Sequence, residues 1–200
     1  MIQENARPLV LGSASPRRRE LLATLGLRFD VRAADIDEAV RPGEAPQPYV
    51  QRMAHDKALA VSRRVPTGTA VLAADTTVVA AGRILGKPDD REAGLAMLSL
   101  LADTEHQVYT GVALALHGEI RERLSITTVR LRSLTQAEME AYWATGEPVD
   151  KAGGYAIQGL GAVFVREIHG SYSGVVGLPL YETAELLTSG GYPLILGHHD

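Results

Sequence analysis

Pro8–Gly26 reads PLVLGSASPRRRELLATLG, and this stretch decides the fold class. Its first part, Pro8–Ser13, is short, apolar and suited to a buried strand. Ser15-Pro16 then supplies a hydroxyl N-cap followed by proline at the first helical position, a strong helix start. Leu21, Leu22 and Leu25 form an apolar face, and Gly26 closes the helix. A strand feeding directly into a helix is the unit from which α/β proteins are built.

The rest of the chain keeps this alternation. Phe29–Ala33 reads as a second strand. Asp35–Pro48, with four acids and three prolines, reads as a loop. Over 47–64, Val50, Met53, Ala54, Ala58 and Val61 recur at helical spacing. Ala70–Ala74 and Thr77–Ala81 are strand-like, with a turn expected through Ala81-Gly82-Arg83. Asp89 and Asp90 precede a helix ending at Leu101. Val108–Leu116 and Ile120–Arg132 flank His117-Gly118, a hairpin signal. Thr135 and Glu138 have the spacing of a capping box. Gly153–Gly161 is glycine-rich, Ala162–Ile168 reads as a strand and Leu178–Leu187 as a last helix. With no repeat or linker, the chain is expected to form a single domain over residues 1–200, with room for two lobes.

Composition narrows the chemistry. The 200 residues are 46% hydrophobic, which excludes wholesale disorder. The chain contains no cysteine, so disulfides, thiolate metal sites, iron–sulfur clusters and cysteine nucleophiles are excluded. No apolar run approaches the ~20 residues of a membrane helix, and MIQENARPLV lacks a signal pattern. A soluble, cytoplasmic protein with no membrane partner is expected. The net charge of -4 and only ten aromatic residues argue against a nucleic-acid partner. An anionic ligand must therefore be held by a local cluster. Of 20 basic residues, 17 are arginine and three are lysine: Lys57, Lys87 and Lys151. A compact ammonium suits phosphate, although codon bias with three surviving lysines accounts for the count equally well.

Familiar motifs mostly fail. Gly82–Pro88 has three residues where a Walker A loop needs four, then proline instead of Ser/Thr. Gly159-Leu160-Gly161 lacks the third dinucleotide-fold glycine, and Gly170–Gly174 places Tyr172 where a nucleophile elbow needs serine. His198-His199-Asp200 fits a frayed tail better than a metal site.

Six sites carry more. Ser13–Arg19 combines hydroxyls, free amides at a helix start and guanidinium forks, which suits phosphate. Asp75 closes the apolar run Val71–Ala74, where an acid is costly unless it binds a cation or serves as a base. Asp35, Asp37 and Glu38 fit either a hard divalent cation or a solvated acidic loop. Lys57, on a helix, fits a surface lysine by default, whereas Gly86-Lys87-Pro88 is a tight turn that aims its lysine. Gln158 lies in the glycine-rich Asp150–Gly159 segment and offers a paired donor and acceptor to a base edge.

Taken in order, Ser13–Leu22 (SASPRRRELL), Asp37-Glu38, Lys57-Ala58, Ala74–Thr76 (ADT), Ile84–Pro88 (ILGKP), Val108–Val112 (VYTGV), Asp150–Gly159 (DKAGGYAIQG) and Gly170–Leu180 (GSYSGVVGLPL) resemble the Maf family of nucleotide pyrophosphatases. The motifs span residues 13–180. The resemblance implies an elongated α/β fold around a mixed sheet flanked by helices. It implies two lobes with a central cleft, similar to inosine triphosphatases, and commonly a homodimer. It also implies divalent-metal-dependent hydrolysis, with Mg²⁺ or Mn²⁺, of a nucleoside triphosphate between its α and β phosphates. In that scheme Asp75 is the general base, Glu38 and Asp75 hold the metal, and Ser13, Arg18, Lys57 and Lys87 bind phosphate.

The resemblance extends to substrate choice. One group of the family acts on dTTP and UTP and carries arginine, threonine and glutamine where this chain has Arg17, Thr76 and Gln158. A second group, acting on 7-methyl-GTP, has an aromatic residue, glutamine and glutamate there. The chain therefore reads as a dTTP/UTP pyrophosphatase of the kind tied to nucleotide-pool cleaning and division arrest. The same chemistry on CTP, modified pyrimidine or 7-methyl-guanine triphosphates, and a nucleotide-sensing division regulator, are the alternatives. Leu101-Ala102-Asp103 and Gly174 depart from the family pattern, outside the proposed chemistry.

Overall fold

The computed structural model describes residues 7–192 and residue 194; the His198-His199-Asp200 tail lies outside them. Seven strands form one mixed sheet: β1 (Leu9–Leu11), β2 (Asp30–Val31), β3 (Ala70–Ala80), β4 (Arg83–Leu85), β5 (Glu105–Leu116), β6 (Glu119–Leu131) and β7 (Val165–His169). Their order is β2-β1-β3-β5-β6-β7, with β4 paired to β3. β1 runs parallel to both β2 and β3, whereas β4 and β7 run antiparallel to their partners. The helices are α1 (Pro16–Ala23), α2 (Pro46–Ser62), α3 (Arg91–Leu101), α4 (Gln136–Ala144), α5 (Tyr172–Val176) and α6 (Leu180–Ser189).

The chain gathers into two compact units. One comprises the chain through Asp75, Thr110–Ser125 and the chain from Gly177; the other comprises Thr76–Tyr109 and Ile126–Val176. In the first unit the register Leu9↔Ala70, Val10↔Val71, Leu11↔Leu72 sorts side chains by the two-residue period of a strand. Leu9, Leu11, Ala70, Leu72 and Ala74 pack with Leu22 of α1 and with Leu186 and Leu187 of α6. Val10, Val71 and Ala73 point the other way, against Ala54, Ala58 and Val61 of α2. Both faces are covered, which is why these strands read as unbroken apolar runs. The second unit has its own core, in which Val78, Val108, Val129 and Leu131 meet Leu98 of α3, Met139 and Tyr142 of α4, and Phe164.

Local signals account for most element ends. Ser15 Oγ accepts from Arg18 N, Asp90 caps α3, and Thr135 with Glu138 forms the expected capping box. Ala81 and Gly82 have φ of 48° and 71°, and His117 and Gly118 have 54° and 82°. Such paired positive φ values are the ones two-residue hairpin turns require.

Two expectations are corrected and one element is added. β3 runs unbroken from Ala70 to Ala80, so Asp75 sits inside the strand and not at its end. The two threonines that follow are β-branched and favour extended backbone, and the carboxylate finds a partner described below. Leu160–Phe164 is a 3₁₀ helix, so the last strand begins only at Val165. Of its apolar side chains only Phe164 reaches the second core, while Leu160, Ala162 and Val163 stay exposed. Finally, Tyr172–Val176 forms an additional short helix before α6.

Candidate active site

Asp75 shares the strand face of Val71 and Ala73, the face covered by α2. On α2, Val50, Ala54, Lys57 and Val61 fall on one stripe at spacings of three and four. Lys57 is therefore carried into the interior, and its exposure is only 7%. This corrects the surface-lysine default. Its Nζ lies 2.7 Å from Asp75 Oδ1 and 2.9 Å from Glu38 Oε1. One ammonium thus holds a buried carboxylate and a half-exposed one. Unpaired, the buried Asp75 would cost several kcal/mol (about 3–5 when one partner of such a pair is removed). The ammonium gives the buried carboxylate a compensating charge inside the first unit.

Glu38 is delivered by the Asp35–Pro48 region, whose course is set by side chains the sequence alone did not single out. Tyr49 Oη donates to Glu38 O at 3.1 Å. Arg52 grips Glu44 with Nε and Nη2, both at 2.6 Å, and donates from Nη2 to Ala39 O. Burial, followed by the charges of Asp75 and Glu38, pushes the Tyr49 phenol up to about 12. It stays a neutral donor. Tyr49 and Arg52 are one helical turn apart at the start of α2, a spacing that could have flagged them as a pair facing the loop.

At the start of α1, Ser13 is buried and Arg18 is partly buried. Arg18 donates from Nε to Gly177 O at 2.8 Å and from Nη1 to Ser13 Oγ at 3.3 Å. Burial lowers the Arg18 guanidinium from its ordinary range, and Arg17 adds to that. Asp75 and Glu38 act in the opposite sense, so Arg18 shares their electrostatic field. Of the three consecutive arginines, Arg18 is the one fixed among these groups, because successive helical positions diverge by about 100°. Ser13, Arg18, Glu38, Lys57 and Asp75 all belong to the first unit. They bring hydroxyl, cation and carboxylate chemistry to one region.

The remaining predicted residues divide between the units. Arg17 belongs to the first, while Thr76, Lys87 and Gln158 belong to the second. Thr76 follows Asp75 along β3. Lys87 is exposed between Gly86, whose carbonyl accepts from Gly153 N at 3.0 Å, and the buried Pro88. Gln158 is exposed directly after the buried Ala156 and Ile157. Lys151 is engaged inside its own segment, donating to Glu147 O at 3.3 Å and pairing with Asp150.

The donor set indicates what kind of cation it fits. Among the described residues no group of three or more His, Asp or Glu side chains is placed to hold a metal. Asp75 and Glu38 nevertheless both reach a single cationic centre, the Lys57 ammonium. Two carboxylate oxygens suit a hard divalent cation that completes its shell with water and substrate phosphate, as Mg²⁺ does. They do not suit a closed structural site.

A family model described as Maf-like protein matches residues 8–190. A protein of Myxococcus xanthus named dTTP/UTP pyrophosphatase is 56% identical over 93% of this chain and 94% of its own. One of Anaeromyxobacter dehalogenans with the same name is 55% identical over 93% and 95%. One of Colwellia psychrerythraea, also so named, is 51% identical over 94% and 90%. Among solved structures, the Ham1 protein of Staphylococcus aureus covers 92% of this chain and 97% of its own at 13% identity, with a TM-score of 0.48. No described helix is long and apolar enough to cross a membrane.

Proposed function

The chain belongs to the family of Maf-like proteins, and on that basis we propose that it is a nucleoside triphosphate pyrophosphatase acting on dTTP and UTP. It hydrolyses the bond between the α and β phosphates, releasing the nucleoside monophosphate and pyrophosphate. Relatives of that name at 51–56% identity along nearly the full length support the substrate. The observation that carries the chemistry is the buried Asp75 carboxylate, paired by an ammonium that also holds Glu38.

Asp75 and Glu38 would hold a divalent cation, Mg²⁺ or Mn²⁺, which when bound supplies charge neutralisation to the triphosphate. The chain's own groups do the rest. Asp75 accepts at its carboxylate the proton of the attacking water, as a general base. The α–β bridging bond breaks as the new phosphorus–oxygen bond forms, and pyrophosphate departs. Lys57, Arg18, Ser13 and Lys87 bind phosphate oxygens and offset the charge on the leaving group, which is where most phosphoryl-transfer catalysis arises. Lys57 can exchange its carboxylate partners for phosphate oxygens, since both are anionic oxygen acceptors. Arg17, Thr76 and Gln158 select the base; the Gln158 amide answers an edge that alternates carbonyl, N–H and carbonyl.

The test is product analysis on dTTP, UTP, CTP, GTP and 7-methyl-GTP with Mg²⁺ or Mn²⁺. Pyrophosphate and monophosphate are expected from dTTP and UTP. Chelation should abolish the reaction, and Asp75→Asn should lower kcat by at least ~100-fold. Intact pyrimidine nucleotides, release of inorganic phosphate alone, or turnover confined to 7-methyl-GTP would overturn the reading.

A further inference from the structure

The glycine-rich segment around Gln158 is tied to a part-buried node that the proposed chemistry does not use. Tyr142, on α4, is buried and meets the Phe164 ring edge-on at 5.0 Å. Its hydroxyl donates to Glu147 Oε1 at 2.7 Å and accepts from Ala156 N at 3.0 Å. Glu147 accepts twice more, from Gly161 N at Oε1 (3.0 Å) and from Leu160 N at Oε2 (2.9 Å). Gly159 N closes the turn onto Ala156 O at 3.2 Å. The backbone amides two residues before Gln158 and two residues after it are thus tied to a single phenol–carboxylate pair.

The glycines of this segment are explained by the same pair. A Cβ at Gly159 would collide with Glu147 Oε2, and a Cβ at Gly161 would stand 2.6 Å from Tyr142 Oη. The Gly-x-Gly at 159–161, which failed as a dinucleotide fingerprint, is space left for a carboxylate and a phenol. Burial by itself would raise the Glu147 carboxyl. The hydrogen bonds from Tyr142, Gly161 and Leu160, with the Lys151 charge, outweigh it and hold the carboxyl below its usual range. Glu147 is therefore an ionised acceptor of three donors, and a charge-assisted clamp of that kind is stiff.

We propose that Glu147, with Tyr142, is the positioning residue for substrate-base recognition: the pair pre-organises the 156–161 turn so that Gln158 meets the pyrimidine edge without paying for loop ordering at each binding event. The inference rests on Gln158 reading the base, as in the proposed function. Neither Glu147 nor Tyr142 needs to touch substrate. Their contribution is affinity, through pre-organisation of the side chain that does.

Kinetics with UTP on Glu147→Gln, Tyr142→Phe, Gln158→Ala and the Glu147→Gln/Gln158→Ala double variant tests it. Glu147→Gln keeps the shape but turns one acceptor into a donor facing a donor, so the clamp loses at least one bond. The expected result is a KM for UTP raised about tenfold, the scale of one such bond, with kcat within about twofold. Tyr142→Phe should reproduce it. In the Gln158→Ala background Glu147→Gln should change KM by less than about twofold, because there is no longer a side chain to position. Fully multiplicative losses in the double variant, or a fall in kcat with KM unchanged, would overturn the clamp. If Glu147→Gln fails to fold, Tyr142→Phe with its own Gln158→Ala double decides by the same criterion. A wild-type enzyme that leaves UTP and dTTP intact overturns the proposed function instead. A Gln158→Ala variant with wild-type KM overturns the role of Gln158, and the clamp's role with it.

Discussion

Lys57 is the residue on which the first unit's polar interior turns, and its removal separates stability from catalysis. Lys57→Met fits the α2 stripe sterically but leaves Asp75 buried without the ammonium at 2.7 Å. A loss of about 3 kcal/mol or more is expected in urea unfolding, because the remaining charge is desolvated and unpaired. Combining it with Asp75→Asn should restore much of that loss, since no orphaned charge then remains. Both variants should be inactive. A Lys57→Met protein with an unchanged unfolding midpoint would contradict the buried pair. The residue types of this site were legible in the sequence; the environment of Lys57 was only partly so. Its spacing from Val50, Ala54 and Val61 matches the buried stripe, but hydrophobic pattern alone reads a lysine there as a surface exception. Only the strand opposite, presenting Asp75 at the same height, turns that exception into a pair.

At the scale of elements, the distance between α2 and β5 sets where Lys57 stands. Gly111 on β5 faces the α2 backbone, and an added Cβ would lie 2.7 Å from Val50 O. Backbone cannot rotate away as a side chain can, so the helix must shift. Gly111→Ala is expected to cost about 1–3 kcal/mol and to lower kcat for UTP by displacing Lys57 with its helix. Unfolding curves and steady-state kinetics check both parts; full stability with full activity would show that α2 does not pack so closely. The elements themselves were mostly legible. The Ser15 cap, the Thr135–Glu138 box and the turns at Ala81-Gly82 and His117-Gly118 are local devices, written in a few adjacent residues. Two features were not. β3 continues through Asp75 because Lys57, 18 residues away in the chain, compensates the carboxylate. Leu160–Phe164 coils because Glu147 captures the amides of Leu160 and Gly161, and neither cause is visible in the local pattern.

For the whole molecule, the response to acid between pH 6.5 and 4 is governed by a buried histidine of the second unit. His106 is buried, its Nε2 2.7 Å from Tyr155 Oη, and burial pushes its pKa down to about 4 from an ordinary 6.5. The unfolded chain therefore binds a proton near pH 6.5 that the folded chain refuses until about pH 4. The stabilisation is complete above 6.5 and is lost as pH falls through that window, about 3 kcal/mol in all. Glu44 and Glu138 are each held down to about 2, the first by Arg52 and the second by Arg132. Their contributions are present above 4.5 and are lost only as pH falls from there toward 2. Urea unfolding at pH 7, 5.5 and 4 should show a decline that His106→Gln flattens between 6.5 and 4. An equal slope in the variant would contradict a neutral buried histidine.

The α/β class, the caps and hairpin turns, and the family motifs were determined by the sequence alone, because each is specified by residues adjacent or nearly adjacent in the chain. Tertiary structure decided which helical lysine is buried, which of three arginines is fixed beside Asp75 and Glu38, and what holds the turn that carries Gln158. Those outcomes depend on groups brought together by sheet pairing and helix packing. Their energies come from desolvation and hydrogen-bond satisfaction, which no local pattern encodes.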